Sequence, residues 1–403
     1  YQTVLAAREG PRGGKLGDLV VKGDGDPNIS ARFHNGDPTA VFRRWAAELK
    51  AAGVREVGGD LVVDDSRFDD VRFLPGWKGS QAGSWFSAEV GALNLNDNCI
   101  EVTVRPTRPG EAARVELSPP TAYVVVENRC RTSGEEKAEP VFHRRPGTNT
   151  VAVREGISLG RKEFTSSVTV HDPGLYFGTV LAEVLRREGL AVQGKVVRGK
   201  LEERAGAAPA VLVRRRSPLL DDLAVINKRS QNLHAEVLLK ALGAQAESEG
   251  SVAGGARAIA RFLGRAGIPA AGLQVEDGSG LSAGNRVSAA TLAGVLGSIQ
   301  RQGYFKQYLE SLPVSGQDGT LKRRFRGRPS AGHVHAKTGY IARVSALAGY
   351  VERGGRHWVF AVLVNGLRQG GSRSRDIASA RALQEEIADE VYRAMGEPGQ
   401  GRA

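Results

Sequence analysis

Residues 335–340, with the sequence His-Ala-Lys-Thr-Gly-Tyr, constrain what this chain can fold into more than any other stretch. They place a cation, a hydroxyl and a residue without a side chain at consecutive positions of a predicted strand, and a second apolar strand follows at 344–350. Glycine lets another backbone approach a strand closely, and a neighbouring lysine attracts a carboxylate. A Lys-Thr-Gly string by itself is a weak signal, because any three-residue string recurs by chance. Its ordinary interpretation is a strand that ends at a turn. Its meaning therefore depends on the motifs that accompany it.

Three further motifs precede this strand. They are residues 227–232 (Asn-Lys-Arg-Ser-Gln-Asn), 277–282 (Asp-Gly-Ser-Gly-Leu-Ser) and 312–321 (Leu-Pro-Val-Ser-Gly-Gln-Asp-Gly-Thr-Leu). In this order the four strings resemble the class C penicillin-binding proteins, the serine D-alanyl-D-alanine carboxypeptidase/endopeptidase family. Penicillin-binding proteins carry Ser-x-x-Lys, Ser-Asp-Asn and Lys-Thr-Gly motifs, and the middle one reads Ser-Gln-Asn here. Residues 17–27 and 59–68 also resemble that family, so the likeness covers nearly the whole chain.

The nucleophile of the resembled family is the serine of Ser-x-x-Lys, and no serine in these 403 residues has a lysine three positions later. In that family the motif lies upstream of an aromatic-x-Thr stretch similar to Tyr1-Gln2-Thr3. We therefore expect the sequence to start just after the nucleophile helix. The resemblance then implies a transpeptidase-like domain that is incomplete at its N-terminus and inactive as given.

The resemblance implies an α+β fold, in which a penicillin-binding/β-lactamase-like transpeptidase domain carries a large inserted α/β and β-rich region. The patterns agree with this: apolar residues are spaced helically at 39–52 and 175–187, and short alternating segments fill 99–170. Helices dominate from 219 to 309, and strands at 334–338, 346–351 and 357–364 precede a closing helix at 376–395. We predict an inserted α/β domain (1–98 and 171–205), a nested β-rich subdomain (99–170), a linker (205–209) and the transpeptidase-like domain (206–403).

The net charge and the hydropathy pattern limit which classes of function are expected for this chain. The formal charge of +12 invites a nucleic-acid hypothesis, and Arg214-Arg215-Arg216 is the densest basic run in the middle of the chain. Three consecutive arginines are usually a solvated face or loop, and no aromatic residues are interleaved for base stacking, so we predict no nucleic-acid binding. No apolar run reaches the roughly 18 residues that a transmembrane helix needs.

Several polar clusters have structural and functional interpretations. Cys99 and Cys130 are either a disulfide between neighbouring strands or two buried thiols.

The acidic residues at 64–70 form a solvated loop or meet a substrate amine. His333 and His335 share a strand face but have no third ligand nearby, and 278–280 is not a dinucleotide loop, so we predict neither metal nor cofactor. The resemblance implies instead that 278–280 shape the floor of a cleft.

The resemblance assigns the catalytic side chains that remain. Ser230, at a helix entrance, is either an ordinary N-cap or the relay that protonates the leaving amine, and we favour the relay. Asn232 then holds the substrate amide. Lys337 lies across the cleft from Ser230, where its ammonium keeps the relay polarised and attracts the terminal carboxylate of the substrate.

The same strand supplies the predicted substrate contacts. Thr338 hydrogen-bonds the carboxylate, and Gly339 leaves room for the substrate to lie along the strand edge as an added strand. The backbone N–H of Tyr340 is one oxyanion donor. Its partner is the N–H of the absent serine, so the oxyanion hole is half built.

We predict a serine-type D-Ala-D-Ala carboxypeptidase/endopeptidase that acts on peptidoglycan stem peptides through an acyl-enzyme and is penicillin-sensitive when full length. Its partners are stem peptides and β-lactams, and the resemblance places it outside the cytoplasm, in the periplasm or cell envelope. One alternative is a non-catalytic cell-wall-binding homologue that has lost the nucleophile. Another is a β-lactamase-like hydrolase, which we disfavour because the large inserted region is not expected there.

A first prediction follows from the missing Ser-x-x-Lys motif. The 403-residue chain, expressed alone, is expected to form no covalent adduct with a fluorescent penicillin. Gel fluorescence and intact-protein mass measure the adduct. Stoichiometric acylation of this chain contradicts the prediction.

Overall fold

The computed structural model describes residues 1–201, 209–368 and 373–396. They form two compact units, one comprising Tyr1–Pro218 and Glu236–Gly254 and the other comprising Leu219–Ala235 and the chain from Gly255 onward. The predicted linker at 205–209 and the boundary after residue 205 fall, apart from Pro209, outside the described residues. The nested division of residues 1–205 stays a prediction.

The first unit contains fifteen strands among its described residues: β1 (Gln2–Ala7), β2 (Lys15–Leu16), β3 (Leu19–Gly23), β4 (Glu56–Val57), β5 (Leu61–Asp64), β6 (Cys99–Arg105), β7 (Arg114–Ser118), β8 (Val125–Asn128), β9 (Arg131–Ser133), β10 (Pro140–Arg144), β11 (Thr150–Ser158), β12 (Phe164–Thr169), β13 (Ala191–Val192), β14 (Val196–Arg198) and β15 (Ala210–Arg216). Five of them form a mixed sheet in the order β14-β5-β3-β1-β15. In this sheet β3, β5 and β14 run parallel, and β1 is antiparallel to both of its neighbours.

Two helices cover this sheet's core, α1 (Ala40–Ala51) and α2 (Pro173–Arg187). The predicted apolar stripe of α1 is buried, and its Phe42 packs edge-on against Phe177 of α2, with ring centroids 4.8 Å apart. α2 begins where the Asp172 side chain accepts a hydrogen bond from the Leu175 N–H and proline occupies the first turn. The helical spacing at 39–52 and 175–187 therefore predicted both helices within two residues.

The predicted β-rich segment forms two small sheets, one in the order β12-β6-β7 and the other built from β10, β11 and β8 with β9 beside β11. Cys99 at the start of β6 and Cys130 before β9 are both buried free thiols, so the structure has no disulfide between them. Burial raises the pKa of both thiols, foremost because an apolar environment disfavours the thiolate. Of the two interpretations left open, the structure shows the buried thiols.

The arginine run at 214–216 is not a loop but the end of β15, which pairs with β1 along its whole length. Arg215 lies on the inner side, where its Nε is 3.2 Å from Oδ2 of the fully buried Asp26. That carboxylate also accepts a hydrogen bond from the Asn28 N–H. The sequence analysis did not identify β15, because three consecutive arginines resemble a polar surface segment. Residues 209–218 lie in the first unit.

Acidic residues of the stretch at 64–70 form ion pairs within the first unit. Asp65 pairs with Arg198, and Asp69 pairs with Lys240, whose side chain is fully buried. These contacts support the structural interpretation of the stretch, since the carboxylates already have cationic partners there.

The second unit contains all or part of six helices: α3 (Leu219–Ala224), α4 (Asn232–Ala246), α5 (Val252–Arg265), α6 (Ala289–Gln300), α7 (Phe305–Ser311) and α8 (Arg373–Ala394). The boundary between the two units lies within α4, after Ala235, and within α5, after Gly254. An antiparallel sheet follows the order β16 (Val334–Ile341), β17 (Val344–Arg353) and β18 (Arg356–Asn365). α8 and α6 pack on this sheet, and the buried Tyr350 hydroxyl donates to the Leu296 carbonyl at 2.8 Å. In the described ranges, no helix is both long and apolar enough to cross a bilayer.

Gly349 of β17 is essential to the sheet that carries residues 335–340. A methyl group added there would lie 2.1 Å from the backbone oxygen of His335 and 2.6 Å from Cα of Ala336. Both contacts involve the backbone of β16, which cannot turn aside as a side-chain tip can. We predict that Gly349→Ala lowers the free energy of unfolding by roughly 1–3 kcal/mol, as overpacking does.

The matched control for that substitution is Gly264→Ala on α5, where an added methyl meets nothing within 4 Å. Because alanine favours a helix over glycine, this change is expected to be neutral or to stabilise by up to about 1 kcal/mol. Urea denaturation of the two variants measures both effects. Equal stability of the two variants contradicts this account of Gly349.

Candidate active site

A strained turn presents Ser230. Residues Val225–Arg229 form a single π-helical turn, and Ser230 follows it in the left-handed region at φ 56° and ψ 45° before α4 begins at Asn232. Non-glycine residues adopt this conformation at a cost of about 1–3 kcal/mol when the surroundings impose it. Two contacts do so: Asn227 Nδ2 donates to Ser311 Oγ at 2.8 Å, and Lys228 pairs with Asp318. Ser230 therefore ends one helix and is held away from an ordinary capping geometry.

The Lys228–Asp318 pair joins this turn to the loop at 312–321. Asp318 also accepts the Val314 N–H at 2.8 Å, and although burial alone would raise the pKa of Asp318, the hydrogen bond from Lys228 lowers it. Gly319 has φ +53°, and a methyl group there would lie 2.9 Å from the Lys228 carbonyl oxygen. The loop is thus a support for the Ser230 turn.

Lys337 reaches Ser230 from β16. Its Nζ donates to Ser230 Oγ at 2.8 Å and to the carbonyl oxygen of Thr338 at 2.6 Å. The neighbouring Ala336 is fully buried under the sheet, which fixes the strand's orientation. Burial lowers the pKa of Lys337 to about 8 because the charged ammonium is poorly solvated.

Thr338 is directed differently from Lys337. Successive side chains of a strand point to opposite faces, and Thr338 Oγ1 lies 2.9 Å from Oγ1 of Thr320. The two hydroxyls therefore form a pair beside the strand rather than joining the hydrogen bond of Lys337 to Ser230. The consecutive positions of residues 337–339 in the sequence did not reveal this difference in direction.

A cleft of about 680 Å³ collects the predicted site residues. Ser230, Asn232, Lys337, Thr338, Gly339 and Tyr340 all line it. The roles assigned to them by resemblance remain proposals, which are taken up below.

The loop that follows Asp277 also lines this cleft, as expected for its floor. Asp277 holds the loop closed by accepting hydrogen bonds from the Gly280 N–H at 2.8 Å and from Asn285 Nδ2 at 2.6 Å. Sequence reasoning missed that residues as far as Ser288 belong to the lining. The Asx-turn pattern of Asp277 followed by glycines was the available signal.

The two histidines near the strand have separate surroundings. His333 precedes β16 and lies against Tyr392, with ring centroids 4.9 Å apart, whereas His335 Nε2 lies 3.4 Å from Glu352 Oε2. Burial lowers the pKa of His335. Across the described ranges, no group of three or more metal-ligating side chains is present.

The fold and the cleft together define a penicillin-binding type of serine peptidase. The sequence matches the D-Ala-D-Ala carboxypeptidase 3 (S13) family over residues 1–386, and the chain belongs to that family. The resemblance read from the four motifs is thereby confirmed, as is the enzyme class of serine D-Ala-D-Ala carboxypeptidases that act on peptidoglycan.

Individual relatives agree with this membership. The D-alanyl-D-alanine carboxypeptidase of Actinomadura sp. strain R39 is 34% identical over 379 residues, which are 91% of this chain and 69% of that protein. The D-alanyl-D-alanine carboxypeptidase DacB of Haemophilus influenzae is 27% identical, over 93% of this chain and 78% of its own length. The crystal structure of penicillin binding protein 4 from H. influenzae superposes with a TM-score of 0.80 at 25% identity, covering 97% of this chain and 86% of that one. The predicted fold class is confirmed.

The lowered pKa of Lys337 predicts a pH-dependent stability. Below about pH 8 the lysine is charged in the folded and unfolded states, whereas between pH 8 and 10.5 the unfolded chain binds more protons. The contribution of Lys337 to the free energy of unfolding therefore rises with pH across this window.

Urea denaturation of wild type and Lys337→Met at pH 7 and pH 9.5 measures this effect, because other titrating groups cancel in the difference. The stability of wild type relative to the variant is expected to be greater at pH 9.5. A difference that stays constant, or falls, excludes a buried lysine of lowered pKa.

Proposed function

We propose that the cleft is the active site of a serine D-Ala-D-Ala peptidase for peptidoglycan stem peptides, and that Ser230, Asn232 and Lys337 form its leaving-group side. The hydrogen bond of 2.8 Å between Lys337 Nζ and Ser230 Oγ carries this proposal. A lysine of pKa about 8 is largely protonated at neutral pH and yet gives up its proton readily. A hydroxyl that accepts from such a group is suited to pass a proton onward.

The proposed chemistry is acyl transfer. A serine hydroxyl adds to the carbonyl carbon of the penultimate D-alanine, and the C–N bond to the terminal residue then breaks. The leaving nitrogen takes the proton of Ser230 Oγ, which is replaced by a proton from Lys337 Nζ. The proton that the attacking hydroxyl loses restores the Lys337 ammonium, so the relay ends in the state in which it began. Asn232, which lines the same cleft, holds the substrate amide, and water later releases the acyl group.

The strand β16 is proposed to bind the substrate backbone. Apart from a bridge between His335 and Val314, no described strand pairs with β16 on the side away from β17. An extended peptide can add there as a strand, close to Gly339. In this arrangement the Tyr340 N–H serves the oxyanion, and the terminal carboxylate meets the Lys337 ammonium, with Thr338 beside it.

β-Lactams enter this proposal as mimics of the D-Ala-D-Ala unit that acylate the same site. Support comes from family membership and from the likeness to penicillin binding protein 4 of H. influenzae. Peptidoglycan lies outside the cytoplasmic membrane, so we propose that the protein works in the periplasm or cell envelope.

A non-catalytic wall-binding function is the second candidate. One observation favours it: apart from the bridge between His335 and Val314, no described strand occupies the outer edge of β16, and a peptide that adds there as a strand is bound without any chemistry. The β-lactamase-like alternative gains no support from the carboxypeptidase family match.

The test is peptidase activity of the protein expressed from its complete reading frame. Ser230→Ala and Lys337→Met are each expected to lower kcat for release of D-alanine from an acyl-D-Ala-D-Ala peptide by about 10²–10⁴-fold, the usual contribution of a proton relay. Matched controls are Ser167→Ala on β12 and Lys306→Met on α7, which lie outside the cleft.

Retention of full kcat in both site variants contradicts the relay. Absence of turnover in the wild-type protein, together with saturable binding of the same peptide, favours the wall-binding function.

A further inference from the structure

A second cavity, of about 460 Å³, lies next to the cleft in the second unit. Thr338, Gly339 and Tyr340 of β16 and Ala346 of β17 line both spaces, whereas Ser230 and Lys337 line the cleft alone. A peptide that lies along β16 therefore has the cleft and this cavity within reach. We call this space the basic cavity.

The basic cavity is lined by one sign of charge. Lys322, Arg323, Arg324 and Arg381 contribute to its wall, and none of its lining residues is acidic. Its other polar side chains carry hydroxyls, namely those of Tyr340, Ser345 and the Thr320–Thr338 pair. A concave surface with this composition concentrates positive potential and attracts anions.

Among these basic residues, Arg324 is held in place by hydrogen bonds within the protein. Its Nε donates to Glu385 Oε1 at 2.8 Å, and its Nη2 donates to the Arg381 carbonyl and to Gln384 Oε1. Its charge is thus already compensated by Glu385. Arg324 fixes the wall of the cavity, and it is not available for a ligand.

The other three cations are uncompensated. Lys322, Arg323 and Arg381 are exposed, and within the described ranges they have neither an ion pair nor a side-chain hydrogen bond. Burial chiefly, and then the nearby charges of Arg381 and Arg328, lower the pKa of Arg324. Like charges that line one cavity repel one another, so an anion bound there would offset that repulsion.

We propose that the basic cavity is a leaving-side subsite for a second carboxylate, carried by the residue that follows the scissile bond. This inference rests on the proposed function, which places the terminal carboxylate of a simple D-Ala-D-Ala peptide at Lys337. A leaving residue with an additional carboxylate extends past Thr338 and meets Arg323 and Arg381. The preferred substrates are then peptides whose leaving part is acidic, as in a cross-linked or branched stem, rather than those that release a lone D-alanine.

The test compares two peptides of equal size and different charge. Dansyl-D-Ala-D-Glu carries the additional carboxylate, and dansyl-D-Ala-D-Gln replaces it with a neutral amide. Equilibrium binding to the 403-residue chain is followed by fluorescence, so no turnover is required. The wild-type chain is expected to bind the D-Glu peptide roughly two- to tenfold more tightly, the range for solvent-exposed ion pairs.

The variant Arg323→Gln/Arg381→Gln is expected to lose this preference and to keep its affinity for the D-Gln peptide. Arg301→Gln/Arg326→Gln is the matched control, because it removes the same charge from exposed positions outside the cavity. Equal affinity of the wild-type chain for the two peptides overturns the inference. So does a preference that the cavity variant retains, or that the control variant loses as well.

A second measurement separates this inference from the proposed function. Glutarate, a free dicarboxylate, is expected to raise the Tm of the wild-type chain and of the control, but not that of Arg323→Gln/Arg381→Gln. If neither peptide binds and glutarate still acts in this way, the proposed function fails and the anion subsite stands. No effect of glutarate on the wild-type chain overturns the subsite.

Discussion

The hydrogen bond between Lys337 and Ser230 is the contact on which the rest of the second unit depends. Each partner by itself raises the free energy of the folded state. Burial removes the hydration of the Lys337 ammonium, and the left-handed backbone conformation of Ser230 is unfavourable for a residue other than glycine. The surrounding structure offsets these costs at separate points. Asn227 and Lys228 hold the turn, and the close approach of β17 at Gly349 holds the strand. A lysine of lowered pKa beside a hydroxyl is the outcome, and the proposed function uses this pair on the leaving-group side of peptide-bond cleavage.

The sequence singled out six residues that the structure brings to one cleft, because the segments that carry them are local. Lys337, Thr338 and Gly339 are adjacent on one strand, and Ser230 and Asn232 are two residues apart at a helix boundary. A local sequence pattern does not show the direction in which a side chain points. The alternation of strand faces turns Thr338 toward Thr320, and a π-helical turn places Ser230 beyond a helix end rather than at an ordinary cap.

The fold was predictable where periodicity is strong and not where long-range pairing decides. The apolar stripes of α1 and α2 identified both helices, whereas β1 and β15 are separated by about half of the chain and gain their structure from each other. Arg215 illustrates the difference, since it resembles a surface residue until the buried carboxylate of Asp26 is brought to it. Cys99 and Cys130 show the same limit, because no spacing rule distinguishes a buried thiol from half of a disulfide.

The central claim is that the Lys337 ammonium is buried and easily deprotonated at the bottom of a peptide-binding cleft. It is tested most directly by an NMR titration of the ¹³Cε resonances of lysine, with the Lys337 signal assigned by its loss in Lys337→Met. The account predicts a midpoint near pH 8 for this signal and a perturbation when an acyl-D-Ala-D-Ala peptide is added. A midpoint near 10.5, the value of a solvated lysine, with no response to the peptide, contradicts it.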